Sequence, residues 1–194
     1  LKTIRDLYTF CEQANIAQLN ELIKKEKKEV FDERSKNIAL RKAINNFDNK
    51  NPNYERIFEI LLLKLGVNLD YQDAQDDKNE NSTIIDLLCM KGNLDLIKLI
   101  LHPKNEKKSN NRKINFSLID SHGRNLFHYL LSQSTIEKQE LDAVEIFNYF
   151  FNEYNKINSS SKNEFIKLIQ KPDNNGNDAL AISLLNGWYK ITQL

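Results

Sequence analysis

TIIDLLCMKGNLDLIKLIL, Thr83 to Leu101, is the stretch whose reading decides the fold. Its apolar spacing predicts two short helices, Ile84 to Met90 and Leu94 to Leu101, joined by a tight turn at Gly92-Asn93. In both segments the apolar residues are too dense for a single buried face. A helix that is apolar most of the way round is covered on more than one side. That happens when a helix pair sits between like pairs in a stack, so the same pattern should recur along the chain.

It does recur. Asp120 to Leu131 reads DSHGRNLFHYLL, and Asp173 to Gly187 reads DNNGNDALAISLLNG. Two weaker copies precede them. Ile38 to Ile44 (IALRKAI) reads as a first helix, with Ile57 to Gly66 (IFEILLLKLG) as its partner. Leu7 to Cys11 and Ile16 to Ile23 form an opening pair with a polar face, as a terminal repeat requires.

These copies resemble the ankyrin repeat, D-x-x-G-x-T-P-L-H-L-A-A-x-x-G-x-L-E-I-V-x-L-L-L. Thr83, Ile85, Gly92, Leu94, Leu96, Ile97 and Ile100 fall on its Thr, first Leu, turn Gly and second-helix apolar positions, and Asp86 stands where the His would be. Asp120, Gly123, Phe127 and His128 match in the next copy, and Asp173, Gly176, Leu180 and Gly187 in the last. Gly66 to Asp70 is similar to the G-A-D-V-N ending. Taking Arg5, Ile38, Thr83, Asn125 and Asp178 as the Thr-equivalent positions gives spacings of 33, 45, 42 and 53. The first is the family period and the rest require insertions; no copy carries T-P-L-H intact. The resemblance implies an all-α ankyrin-repeat solenoid of about five stacked helix-turn-helix repeats with long inter-repeat loops. It forms a single array over 1–194, with repeats near 1–33, 34–77, 78–119, 120–172 and a truncated 173–194.

A chain of 194 residues with 40% hydrophobic content is enough for one domain or one array. A formal net charge of +1 predicts no general affinity for nucleic acid or membrane. No apolar run reaches the ~20 residues of a membrane span, and no signal peptide is visible. Cys11 and Cys89 occupy apolar first-helix positions and read as buried, reduced thiols, so a cytoplasmic, reducing environment is expected. The chain begins at Leu1 and breaks off after Gly187 to Leu194, in what reads as the start of a second helix, so it reads as a fragment of something longer. Lysines outnumber arginines 22 to 6 and asparagines number 26. With degenerate repeats, that bias resembles secreted effectors of intracellular bacterial pathogens and implies action in the host cytosol.

No residue pattern carries catalysis. Neither cysteine has a neighbouring histidine to activate it, and Cys and His are not clustered for a metal. There is no phosphate-cradling glycine loop, and no cofactor is expected. The acidic run 70–80 (Asp70, Asp73, Asp76, Asp77 and Glu80 against Lys78) lacks the glycine and alternation of a calcium loop and reads as a solvated finger. The basic run 102–113 has no interleaved aromatic for base stacking and reads as a loop. Lys24 to Arg34 reads as a solvated run. Ile114 to Ile119 alternates apolar and polar and predicts an extended arm. Val144 to Phe151 is expected as a core helix, with Ser132 to Leu141 as an insertion before it and Asn155 to Asn163 as a polar linker. Phe165 to Ile169 reads as an extra short helix. His128, by the resemblance, bonds backbone and ties one repeat to the next. Asp120 and Asp173 should accept backbone N–H bonds in their D-x-x-G turns.

What remains is surface. The resemblance implies a non-enzymatic, monomeric module that binds a protein partner through its hairpin fingers and concave first-helix face. The implied contact residues are Arg34, Ser35 and Asn37 with Asn45 and Asn46 in the second repeat; Asn79, Glu80 and Ser82 with Met90 and Lys91 in the third; Ser121, His122 and Arg124 with Ser132 and Gln133 in the fourth; and Asn174, Asn175 and Asn177 with Asn186 in the last. Met90, His122 and Arg124 are expected as the anchors. The alternative is the non-catalytic portion of an enzyme whose active site lies elsewhere.

Overall fold

A computed structural model describes residues 2–73, 81–104, 112–132, 137–157 and 162–188. The expected contacts at Asn79, Glu80 and Gln133, the runs 74–80 and 105–111, and residues 189–194 lie outside them. The described residues are helical, with no strand among them. In chain order the helices are α1 (Lys2–Glu12), α2 (Ile16–Lys25), a 3-10 turn (Lys28–Val30), α3 (Glu33–Asn45), α4 (Asn53–Glu59) continuing as a π-helical segment (Ile60–Lys64), α5 (Ile84–Lys91), α6 (Leu94–Leu101), α7 (Leu126–Leu131), α8 (Glu137–Ile157), α9 (Lys162–Ile169) and α10 (Ala179–Leu185). The chain divides into two compact units, 1–71 with 98–112 and 72–97 with 113–194. One boundary of this division passes through α6.

In the first unit α1 packs on α2 and α3, and α3 on α4. Leu7, Leu19, Leu40, Ile57, Phe58 and Leu61 are fully buried there. Phe47 lies 6.0 Å from Tyr54 and 5.8 Å from Phe58 between ring centroids. The Tyr54 hydroxyl donates to the Glu12 carbonyl at 2.9 Å, which satisfies the polar end of a buried ring. The second helix ends in a wide turn, with Leu65 N–H bonding the Ile60 carbonyl at 3.1 Å. A π turn leaves carbonyls without helical partners. Cations serve them: Arg112 Nη2 donates to Leu62 O at 3.0 Å, and the buried Lys36 Nζ to Leu65 O at 3.4 Å.

In the second unit α7 packs on α5, α8 and α10. The pattern at Thr83 to Leu101 folds as its density implies. Ile84, Leu88 and Cys89 of α5 and Leu96 and Ile97 of α6 are buried in this unit, and Ile100 and Leu101 at the end of α6 are buried in the first. Gly92 closes α5 in the left-handed region at φ 59°, and Asn93 Oδ1 accepts Leu96 N–H at 2.9 Å to start α6. An eight-residue helix is unstable in isolation, whereas each buried Leu or Ile contributes roughly 1.5–3 kcal/mol. Burial therefore holds these helices, not propensity. An aromatic cluster fills the rest of the unit. The Phe165 ring lies 5.1 Å from Phe151, 5.2 Å from both Phe127 and Tyr154, and 5.7 Å from Phe147.

Several expectations are corrected. The helix expected at Ile38 starts at Glu33, because Asp32 Oδ1 accepts Ser35 N–H at 2.7 Å and caps it five residues earlier. The insertion before Val144 is already helical from Glu137, and α8 runs 21 residues to Ile157. Ile114 to Ile119 is no extended arm: Asn115 Oδ1 accepts the Ser117 N–H at 3.2 Å and turns the chain, which sends Phe116 into the aromatic cluster. Phe165→Ala should cost about 3–5 kcal/mol in urea denaturation, whereas Phe151→Leu, a better volume match, should cost under about 1.5 kcal/mol.

Candidate protein-binding surface

The helices α5 and α7 begin with the same reciprocal device, and α10 begins with its forward half. Thr83 Oγ1 accepts Asp86 N–H at 3.2 Å, and Asp86 Oδ2 accepts Thr83 N–H at 2.7 Å, a reciprocal capping box. Asn125 and His128 repeat it: Asn125 Oδ1 takes the Phe127 and His128 N–H groups, and Asn125 N–H donates to His128 Nδ1 at 3.1 Å. Asp178 Oδ1 accepts Ala181 N–H at 2.7 Å. Asp86 thus does at its position what His128 does at the equivalent one. His128 Nε2 then bonds the Asn177 carbonyl at 3.1 Å, and Asn125 Nδ2 bonds Leu168 O at 2.7 Å, so α7 is fastened to the segment that follows it.

Ahead of two of these caps stand twin turns. Asp120 Oδ1 accepts the N–H groups of His122 and Arg124, each at 2.8 Å; Asp173 Oδ1 accepts those of Asn175 and Asn177 at 2.8 and 3.0 Å. Backbone bonds close both, Asp120 N–H to Arg124 O at 2.9 Å and Asp173 N–H to Asn177 O at 2.8 Å. The two turns are joined to each other. Asn174 N–H donates to His122 O at 2.8 Å, and its side-chain amide donates to Ser121 O at 3.2 Å. The tips Ser121, His122, Asn174 and Asn175 are thereby brought together, exposed, on one ledge.

Met90, 51% exposed, and Lys91 lie at the far end of α5, and Ser132 at the far end of α7. At 1.5 Å per residue that end stands roughly 9–12 Å from the capped end. Other expected contacts are corrected. Asn37 is 3% exposed inside α3, where it accepts from Arg41 Nε at 2.9 Å and donates to Asn68 O; Ser82 is 6% exposed. Both are structural, because an earlier or adjacent cap draws them inward. Arg34 is exposed, in the first unit. Arg124 is no free anchor. Its Nε and Nη2 both lie 2.7 Å from Asp120 Oδ2, and its guanidinium carbon sits 4.8 Å over the Tyr129 ring. The Tyr129 hydroxyl donates to the same carboxylate at 2.6 Å. Sequence reasoning missed this Asp–Arg–Tyr cluster, since no periodic pattern pairs Asp120 with Tyr129.

Burial alone would raise the Asp120 carboxyl, but the bonds from Tyr129 and Arg124 outweigh it and hold it below the usual carboxylate range. Burial and the Asp120 bond push the Tyr129 phenol up. Burial depresses His128 despite the Asn177 carbonyl and nearby carboxylates. The cysteines are poor nucleophiles: burial pushes Cys11 up to about 12, and burial with the Asp86 charge raises Cys89. Among the described residues no three His, Cys, Asp or Glu side chains converge to hold a metal, and no helix is long and apolar enough to cross a membrane. In comparisons with known proteins, no family matches the chain, and no curated protein matches it.

Two outcomes follow from this geometry. A Cβ on Gly123, at φ 77°, would stand 2.6 Å from Asn174 Oδ1 and 3.1 Å from Asn174 N, whereas one on Gly176, at φ 82°, meets nothing within 4 Å. Gly176→Ala should cost about 1–2 kcal/mol from the left-handed backbone alone. Gly123→Ala should cost about 1 kcal/mol more, because it also breaks the bond between the turns; matched urea titrations compare them. The second outcome concerns pH. His128 resists protonation in the folded state and accepts it in the unfolded chain below about pH 6.5. The unfolded state then binds more protons, so stability falls as pH drops from 7.5 to 5.5. His128→Gln should flatten that slope in pH-dependent denaturation, while the loss below pH 3.8 from Asp120 and Asp173 persists.

Proposed function

We propose that this protein is a protein-binding module of the ankyrin-repeat type, and that the ledge of paired turn tips, with the exposed ends of α5 and α7, is its contact surface. The observation that carries the reading is the direct bond between the turns, Asn174 N–H to His122 O at 2.8 Å. It holds four exposed polar tips in a fixed register, so a partner meets them without first ordering them. Met90 supplies an apolar contact that adapts to its counterpart, and His122, with half its side chain exposed, supplies a flat ring with two nitrogen atoms. Capping boxes at the equivalent residues Thr83 and Asn125, and the bond from His128 to Asn177, support the family reading. The lysine- and asparagine-rich composition supports a further part of the proposal, that the module is the targeting part of a longer secreted bacterial effector acting in the host cell.

The experiment is affinity capture from eukaryotic lysate, comparing the wild type with a Met90→Asp, His122→Ala, Asn175→Arg variant and a Glu29→Lys control. Arg124 is left intact, since reversing its charge beside Asp120 would unfold the turn. Circular dichroism checks that each variant folds. A prey held by the wild type and control should bind the triple variant at least about tenfold more weakly, or ~1.4 kcal/mol. Equal retention by the folded triple variant overturns the surface assignment.

A further inference from the structure

The outer side of the first unit carries a cavity of about 390 Å³ between α2 and the end of α4. Ile16, Ile60 and Leu63 form its apolar lining. Arg56 and Lys64 stand four residues before and after Ile60 and flank the apolar lining with positive charge. The wall that bears Ile60 to Lys64 is the π-helical segment, a local distortion that is frequent at functional sites. Lys64 Nζ is steadied by Asn20 Oδ1 at 3.1 Å. Glu59 also lines the cavity, and its charge acts on Lys104, which is paired with Glu55 at 2.6 Å. Among the described residues, no hydrogen bond or ion pair engages the Arg56 guanidinium.

We propose that this groove binds a medium-chain monocarboxylate, with the carboxylate on Arg56 and the alkyl chain along Ile60, Leu63 and Ile16. The volume lies in the lower range of small-molecule sites, which are mostly apolar with a few placed polar groups. A guanidinium presents the planar fork that matches a carboxylate with two parallel bonds. The rim's second cation, already held by Asn20, disfavours a cationic ligand without claiming the head group. The site is distinct from the turn ledge, which belongs to the other unit, so either reading stands without the other.

The test uses decanoate as probe, followed by amide NMR of the full chain, with 1-decanol as the uncharged counterpart. Decanoate should give saturable shifts at the amides of Ile16, Ile60 and Leu63, and bind at least tenfold more tightly than decanol. Arg56→Glu should weaken decanoate at least tenfold, and Arg56→Lys less than Arg56→Glu. Arg56 is exposed, so these variants fold, and their unperturbed amide spectra elsewhere serve as the check. Absence of saturable shifts at those amides, equal binding of decanol, or an undiminished affinity in Arg56→Glu each overturns the proposal.

Discussion

Short buried helices have a shared difficulty: the first turn of each exposes N–H groups that nothing inside the helix can satisfy. In a helix of six to eight residues those groups are a large fraction of the backbone, and in a buried one water is not there to take them. The capped starts at Thr83, Asn125 and Asp178 answer this, and much of the second unit depends on them. The Thr83–Asp86 and Asn125–His128 boxes are chemically different solutions to one requirement, an acceptor on the first residue and a second acceptor three residues on. Because those helices start at defined residues, their apolar faces meet in register, and the aromatic cluster around Phe165 can close.

The turns extend the same logic outward. Asp120 and Asp173 each spend one carboxylate oxygen on two backbone N–H groups, which makes the loops rigid without strands. At Asp120 the other oxygen collects Arg124 and Tyr129, so a charge that would be costly to bury is fully bonded. The price is that Arg124 is withdrawn from the surface. Rigidity and availability compete for the same side chains: Asn174 links the two turns and stays exposed with Ser121, His122 and Asn175, whereas Arg124 is drawn onto Asp120 and Tyr129.

The first unit solves its second-helix ending differently. The π-helical segment leaves carbonyls that Arg112 and Lys36 occupy, so charged side chains do the work that a regular last turn does elsewhere. The segment also turns Ile60 and Leu63 toward a groove flanked by Arg56 and Lys64. Packing inward and a cavity outward thus come from the same four-residue apolar run, Ile60 to Leu63.

By itself the sequence determined what depends on neighbours a few residues away. The helices α5 and α6 with their Gly92 turn, the two aspartate turns, and the burial of Cys11 and Cys89 all follow from local spacing and residue chemistry. The positions Ser121, His122, Asn174 and Asn175 came from the ankyrin resemblance, and the structure leaves all four exposed. Only the tertiary structure decided which polar residues were left for the surface. Asn37 disappeared into α3 because Asp32 capped that helix five residues earlier than periodicity suggested. Ser82 was buried beside a cap, and Arg124 was captured by a carboxylate and a phenol nine residues apart. The length of α8 and the turn that carries Phe116 inward were likewise settled by aromatic packing. Those outcomes depend on contacts between segments that no short-range period encodes, and on the rule that a buried polar group takes whichever partner the fold brings to it.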